Sequence, residues 1–152
     1  MVVHQSLVMP VRANVPFEML PSLPLEVIYR RWYWAFPPVR RVIFADVEWR
    51  HVGQKRTMVL AGASAVAEVV EVDPPRVFRY RLTNMTGLFK PLIAHVEGRV
   101  DFAPVTGGTN VTWQWTIYTR SPVGALARPV LRRVWPGWAL KALDYMAGEL
   151  KA

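Results

Sequence analysis

At 152 residues the chain fits one domain spanning 1–152, and a chain of that length buries enough surface to hold together without disulfides or a structural metal. It has no cysteine, which excludes thiol nucleophiles, cysteine–zinc sites and disulfides and fits a reducing, cytoplasmic setting. The formal charge of +8 favours anionic partners, yet the arginines are scattered, with no glycine-interleaved basic run and no recognition-helix pattern. The expectation is therefore a solvated basic surface, with no nucleic acid among the partners.

Taken in order, the opening residues MVVHQSLVMPVR lack the basic start and unbroken apolar run of a signal peptide, so no leader is expected. Gln5 to Ala13 reads as a first strand, because Leu7, Met9 and Val11 alternate against Ser6 and Arg12. Asn14 is placed to cap a short helix with Pro16 and Glu18 in its first turn. Ser22 and Pro24 open a second, whose Leu25, Ile28, Tyr29, Trp32 and Phe36 keep a helical stripe as far as Pro37 and Pro38. From Val39 the period changes to two. Strands are expected over 42–49, 54–60, 64–72, 77–83, 94–102 and 111–117, joined by turns short enough to force antiparallel pairing.

The last stretch, 122–150, returns to helical spacing. Leu131, Val134, Trp135, Trp138, Ala142 and Met146 share one apolar stripe, while Arg133, Asp144 and Lys151 fall on the other side. Pro136 followed by Gly137 should kink or split this helix into two arms meeting near Trp135. The simplest cover for the stripe is a curved antiparallel sheet, and a sheet wrapped around a helix can enclose a cavity.

Gly53 with Arg56, Glu68 after a turn glycine, Asp73-Pro74-Pro75 with Tyr80, Gly98 with Phe102, and Gly107-Gly108-Thr109 with Val111 and Trp113 carry a likeness over nearly the whole chain. The pattern resembles the START-like (SRPBCC) superfamily, and within it the polyketide cyclase/dehydrase and lipid-transport group. That resemblance implies an α+β helix-grip fold: a seven-stranded curved antiparallel sheet around a long, kinked C-terminal helix, with two short helices after the first strand. It also implies a hydrophobic ligand held between sheet and helix. The aromatic-rich second helix and the Pro136-Gly137 break depart from the pattern and could reshape the cavity.

Inward-facing candidates for ligand contact are Phe78, Tyr80, Trp113 and Trp115 on strands, with Trp135 and Trp138 on the helix. A solid aromatic core is the competing reading; small residues such as Ala65, Ala67 and Gly98 beside the large ones leave room for a void. An odd-length loop centred on Gly62 would set Leu60 opposite Ser64, Met58 opposite Val66 and Arg56 opposite Glu68. Arg56 and Glu68 would then be a paired polar anchor inside the grip or a cross-strand ion pair at the sheet rim. His4, His51 and His95 form no site, and no metal-ligand spacing, serine elbow or nucleotide loop is present, so no metal or cofactor is expected.

The first functional expectation is a monomeric or homodimeric binder or carrier of a hydrophobic small molecule, lipid, polyketide or isoprenoid-like. The alternative is a cyclase/dehydratase using Glu68, Tyr80 or Arg56 for acid–base work. A further alternative is a membrane-surface accessory protein that meets anionic lipid through Arg128, Arg132, Arg133 and nearby tryptophans.

Overall fold

The computed structural model describes residues 1–34 and 36–151, Lys151 by its backbone alone, so the expected outward placement of the Lys151 side chain lies outside the described residues. Seven strands, β1 (Val2–Met9), β2 (Val39–Phe44), β3 (Lys55–Leu60), β4 (Ala63–Asp73), β5 (Val77–Gly87), β6 (Ile93–Val105) and β7 (Gly108–Thr119), form one antiparallel sheet in the order β1-β7-β6-β5-β4-β3-β2. Each consecutive pair from β2 to β7 is a hairpin, and β1 crosses over to close beside β7. The helices are α1 (Asn14–Met19), followed by a 3₁₀ turn Leu20–Ser22, α2 (Leu25–Ile28) and the long α3 (Val123–Lys151). Register shifts in β4 opposite β5, between Ser64 and Val66 and between Val69 and Glu71, supply the extra residues that curve a sheet.

The period-two pattern sorts the sheet's faces as expected. Val96, Gly98, Val100 and Phe102 of β6 and Val111, Trp113, Trp115 and Ile117 of β7 are buried, whereas Arg99 and Asp101 pair on the outside. α3 lays Leu131, Val134, Trp135, Ala139, Ala142, Leu143 and Met146 on this inner face. Leu143 is fully buried, and its truncation to alanine should cost about 2–5 kcal/mol.

Four local expectations are corrected. β1 covers Val2–Met9 rather than 5–13, because Pro10 has no N–H to continue the ladder with β7. Asn14 does not cap α1; it lies inside the helix, and Ala13 at the N-cap makes no side-chain bond. α2 stops at Ile28, since the Tyr29 carbonyl accepts the Val39 N–H at 2.7 Å and the chain turns back toward β2 instead of continuing a helix to Phe36. β2 begins at Val39 and ends at Phe44, which leaves Trp49 in the following loop.

α3 is one element rather than two arms, with Pro129 and Pro136 inside it. Proline at 136 deprives the Arg132 carbonyl of its helical partner, but Arg132 is exposed and water can serve instead. Trp135, Ala139 and Leu143 are buried on both sides of the proline and keep the element continuous, and Gln5 Nε2 donates to the Pro136 carbonyl at 3.4 Å. Gly137 answers a different need: a Cβ there would stand 2.2 Å from the Tyr33 hydroxyl.

Candidate functional site: an aromatic cavity with a buried arginine

Between sheet and α3 lies a hollow of about 80 Å³. That is below the roughly 300 Å³ at which small-molecule pockets begin, so a ring-sized guest fits only as the surrounding side chains give way. Sequence creates the space on one wall, where β4 turns only alanines, Ala65 and Ala67, toward it. The other walls are aromatic. Trp113 and Trp115 stack at 5.0 Å on β7, Trp135 and Trp138 come from α3, and Tyr29 and Phe36 come from the segment between α2 and β2. Tyr29 stacks on Trp138 at 4.5 Å, and Phe36 stands edge-on to both Trp135 and Trp138 at 5.4 Å.

Arg56 is the charged member of the lining and is 6 % exposed. Its guanidinium carbon sits 3.8 Å from the centre of the Trp49 ring, and Nη1 donates to the Pro21 carbonyl at 3.3 Å. No described carboxylate pairs with it, and its buried Nε has no partner. Burial pushes its pKa down to about 10, against the pull of Tyr80 and Glu26. The group therefore remains a cation at neutral pH, held by an aromatic face and one carbonyl. Trp49 is itself fixed, its Nε1 donating to the Ala67 carbonyl at 3.0 Å.

Tyr80 faces the same hollow. Its hydroxyl oxygen accepts from Trp113 Nε1 at 2.9 Å and Trp115 Nε1 at 3.1 Å, which leaves its own proton without a described acceptor. Burial raises its pKa to about 12 although both indole bonds and Arg56 pull the other way, so it is a neutral donor at physiological pH. Its ring lies against the bare backbone of β6: a Cβ on Gly98 would fall 2.2 Å from Tyr80 Cζ. Trp49 touches both polar groups, its ring centre 5.5 Å from that of Tyr80. The Trp135 Nε1 is a further buried donor without a partner.

Of the residues singled out in the sequence, Arg56, Tyr80, Trp113, Trp115, Trp135 and Trp138 come together around this hollow. Phe78 does not: it is buried one layer away, against Trp49 at 5.2 Å and Phe17 at 6.4 Å. Glu68 is excluded as well, and the expected pair with Arg56 does not form. The turn is the two-residue Ala61-Gly62, with Gly62 at φ +80°, so Leu60 faces Ala63, Arg56 faces Ala67 and Lys55 faces Glu68. That one-residue change of register flips Glu68 to the outer face, where it lies 3.9 Å from Lys55 Nζ. The sequence pattern reads Trp49 as the end of a strand, whereas it belongs to a loop, and reads Tyr29 and Phe36 as a helical stripe; neither reading marks them as walls of the hollow.

The family model described as polyketide cyclase/dehydrase and lipid transport matches residues 29–152. The chain belongs to that family. Solved structures similar to this family member include TTHA0849 from Thermus thermophilus, at TM-score 0.73 and 15 % identity over 99 % of this chain and 97 % of that one. The Zhui aromatase/cyclase from Streptomyces sp. R1128 matches at TM-score 0.72 and 18 % identity, covering 99 % and 93 %. Major latex-like protein 151 from Panax ginseng matches at 0.66 and 11 %, covering 98 % and 96 %. At such identities the likeness is one of fold, and it agrees with the helix-grip architecture. No curated protein sequence matches.

Proposed function

We propose that this protein binds a hydrophobic, largely planar small molecule bearing an anionic or strongly accepting oxygen. The observation that carries this reading is the buried, carboxylate-free Arg56 on the wall of an aromatic hollow, with the Tyr80 proton available beside it. A guest oxygen would take both donors, compensating the desolvation that Arg56 suffers alone, while its rings stack among Trp113, Trp115, Trp135 and Trp138. Native mass spectrometry of freshly purified protein tests it. A bound species of low mass, released on denaturation and reduced in Arg56→Met, is expected; wild-type protein that stays ligand-free even after exposure to a lipid extract refutes it.

The cyclase/dehydratase reading draws support from the family and from the fold likeness to an aromatase/cyclase. Arg56 and Tyr80 could stabilise an enolate oxygen, as neutral and cationic donors do at developing negative charge. With Glu68 outside, however, the described residues lining the hollow include no aspartate, glutamate or histidine to abstract a proton. Binding is the reading that needs nothing the site lacks.

A further inference from the structure

On the outer face of β5 and β6 each arginine is matched by an acid, Arg79 with Glu71, Arg81 with Glu97 and Arg99 with Asp101. One end of the molecule has no such balance. The chain carries no acid between Glu26 and Asp46, between Asp73 and Glu97, or between Asp101 and Asp144, and these three intervals meet in space. Phe36 contacts Phe89 and Trp135; the Arg120 N–H donates to the Leu92 carbonyl at 2.9 Å; Gly124 lies so close that a Cβ would be 2.2 Å from that carbonyl. Arg31, Lys90, Arg120, Arg128, Arg132 and Arg133 are exposed here, and none forms an ion pair with a described carboxylate.

The same end exposes large apolar side chains in an ordered way. Val123, Leu126 and Val130 of α3 are 50 %, 81 % and 58 % exposed. Continued in steps of three and four, their stripe passes through Arg133 to Gly137 and Lys141, the residues that meet Tyr33. Next to Tyr33 stands Trp34, 76 % exposed, in a turn closed by reciprocal backbone hydrogen bonds between Tyr33 and Phe36 at 3.0 and 2.9 Å. Its φ of +54° is a conformation disfavoured for a bulky side chain, maintained while the indole is presented to solvent. Trp32 and Leu88 add exposed apolar surface.

We infer that this end, formed by the Trp32–Trp34 turn, the Leu88–Lys90 loop and the first half of α3, docks onto an anionic lipid bilayer. Protruding indole and aliphatic tips ringed by unpaired cations suit the interfacial zone of a membrane, where tryptophan sits at headgroup depth and arginine meets phosphate. Phe36, Phe89 and Trp135 are walls of the cavity and lie directly behind this surface, so docking would bring the hollow to the lipid.

Co-sedimentation with vesicles tests the inference whatever the cavity binds. Wild-type protein should pellet with phosphatidylcholine vesicles carrying roughly 30 % phosphatidylglycerol at low salt, much less at high salt, and little with phosphatidylcholine alone. Arg132→Glu with Arg133→Glu, and separately Trp34→Ser with Leu126→Ser, should each weaken binding about tenfold or more. Arg12→Glu with Arg76→Glu changes the net charge equally at the opposite end and should weaken it less. Thermal melts establish that each variant is folded. Absence of wild-type binding, or equal loss in the Arg12/Arg76 variant, overturns the proposal. So does self-association through this face, reversed by Leu126→Ser without vesicle binding, which would assign it to a second copy.

Discussion

Arg56→Met should make the protein more stable and its cavity less able to hold an acid. Displacement of the Arg56 pKa from the ordinary arginine range to about 10 corresponds, at ~1.4 kcal/mol per pH unit, to about 3 kcal/mol spent keeping the cation buried at neutral pH. Methionine retains the apolar stem and removes the charge. Against this gain stand the contact with Trp49, about 1–2 kcal/mol for a desolvated cation–π pair, and a Pro21 carbonyl left without its donor, about 1 kcal/mol. The balance is zero to about 1 kcal/mol in favour of the variant, a rise of as much as ~4 °C in Tm for a domain of this size. Urea denaturation at pH 7 measures it. Destabilisation by more than about 2 kcal/mol would mean that Arg56 is a satisfied structural group, as buried ion pairs are when one partner is removed, and the reasoning that makes it a ligand anchor would fail.

Other consequences follow from the same geometry. Gly98→Ala drives a methyl into the Tyr80 ring and should cost about 1–3 kcal/mol with a shift in tryptophan emission; an unperturbed spectrum and melt would contradict the close approach. Tyr80→Phe strands two indole N–H groups, so an equilibrium unfolding loss of about 2–4 kcal/mol is expected. Because the Tyr80 pKa is raised from 10.0 to about 12, its contribution is complete below pH 10 and lost as pH climbs through 12. Wild type should lose its stability advantage over Tyr80→Phe across that window, and an advantage unchanged to pH 12 would refute the assignment. Glu68→Gln removes only an exposed pair with Lys55 and should leave stability within about 0.5 kcal/mol and ligand affinity unchanged.

Much of this molecule was legible in its sequence because the sheet is sided. Alternation in β6 and β7 assigns Trp113 and Trp115 to the interior without reference to any fold, and the three-four spacing does the same for Trp135. What failed was parity and continuity. A turn of two residues instead of an odd number moved Glu68 across the sheet, a distinction that Gly62 alone does not encode. Proline at 136 signalled a break that burial of the neighbouring face outweighed, and the aromatic run before β2 carried helical spacing although Val39 had claimed the Tyr29 carbonyl. Trp49, seated on Arg56 from a loop, reads in the sequence as the last residue of a strand, which gives no reason to place it in the site.

The decisive measurement is a calorimetric titration with a matched pair of probes, 2-naphthoate and 2-naphthalenemethanol, against wild type and Arg56→Met. One-to-one binding of the acid, at least about tenfold tighter than the alcohol and with that preference erased in the variant, is the predicted outcome. Equal affinities for acid and alcohol in the wild type, or no uptake of either, would show that the buried guanidinium does not serve a guest.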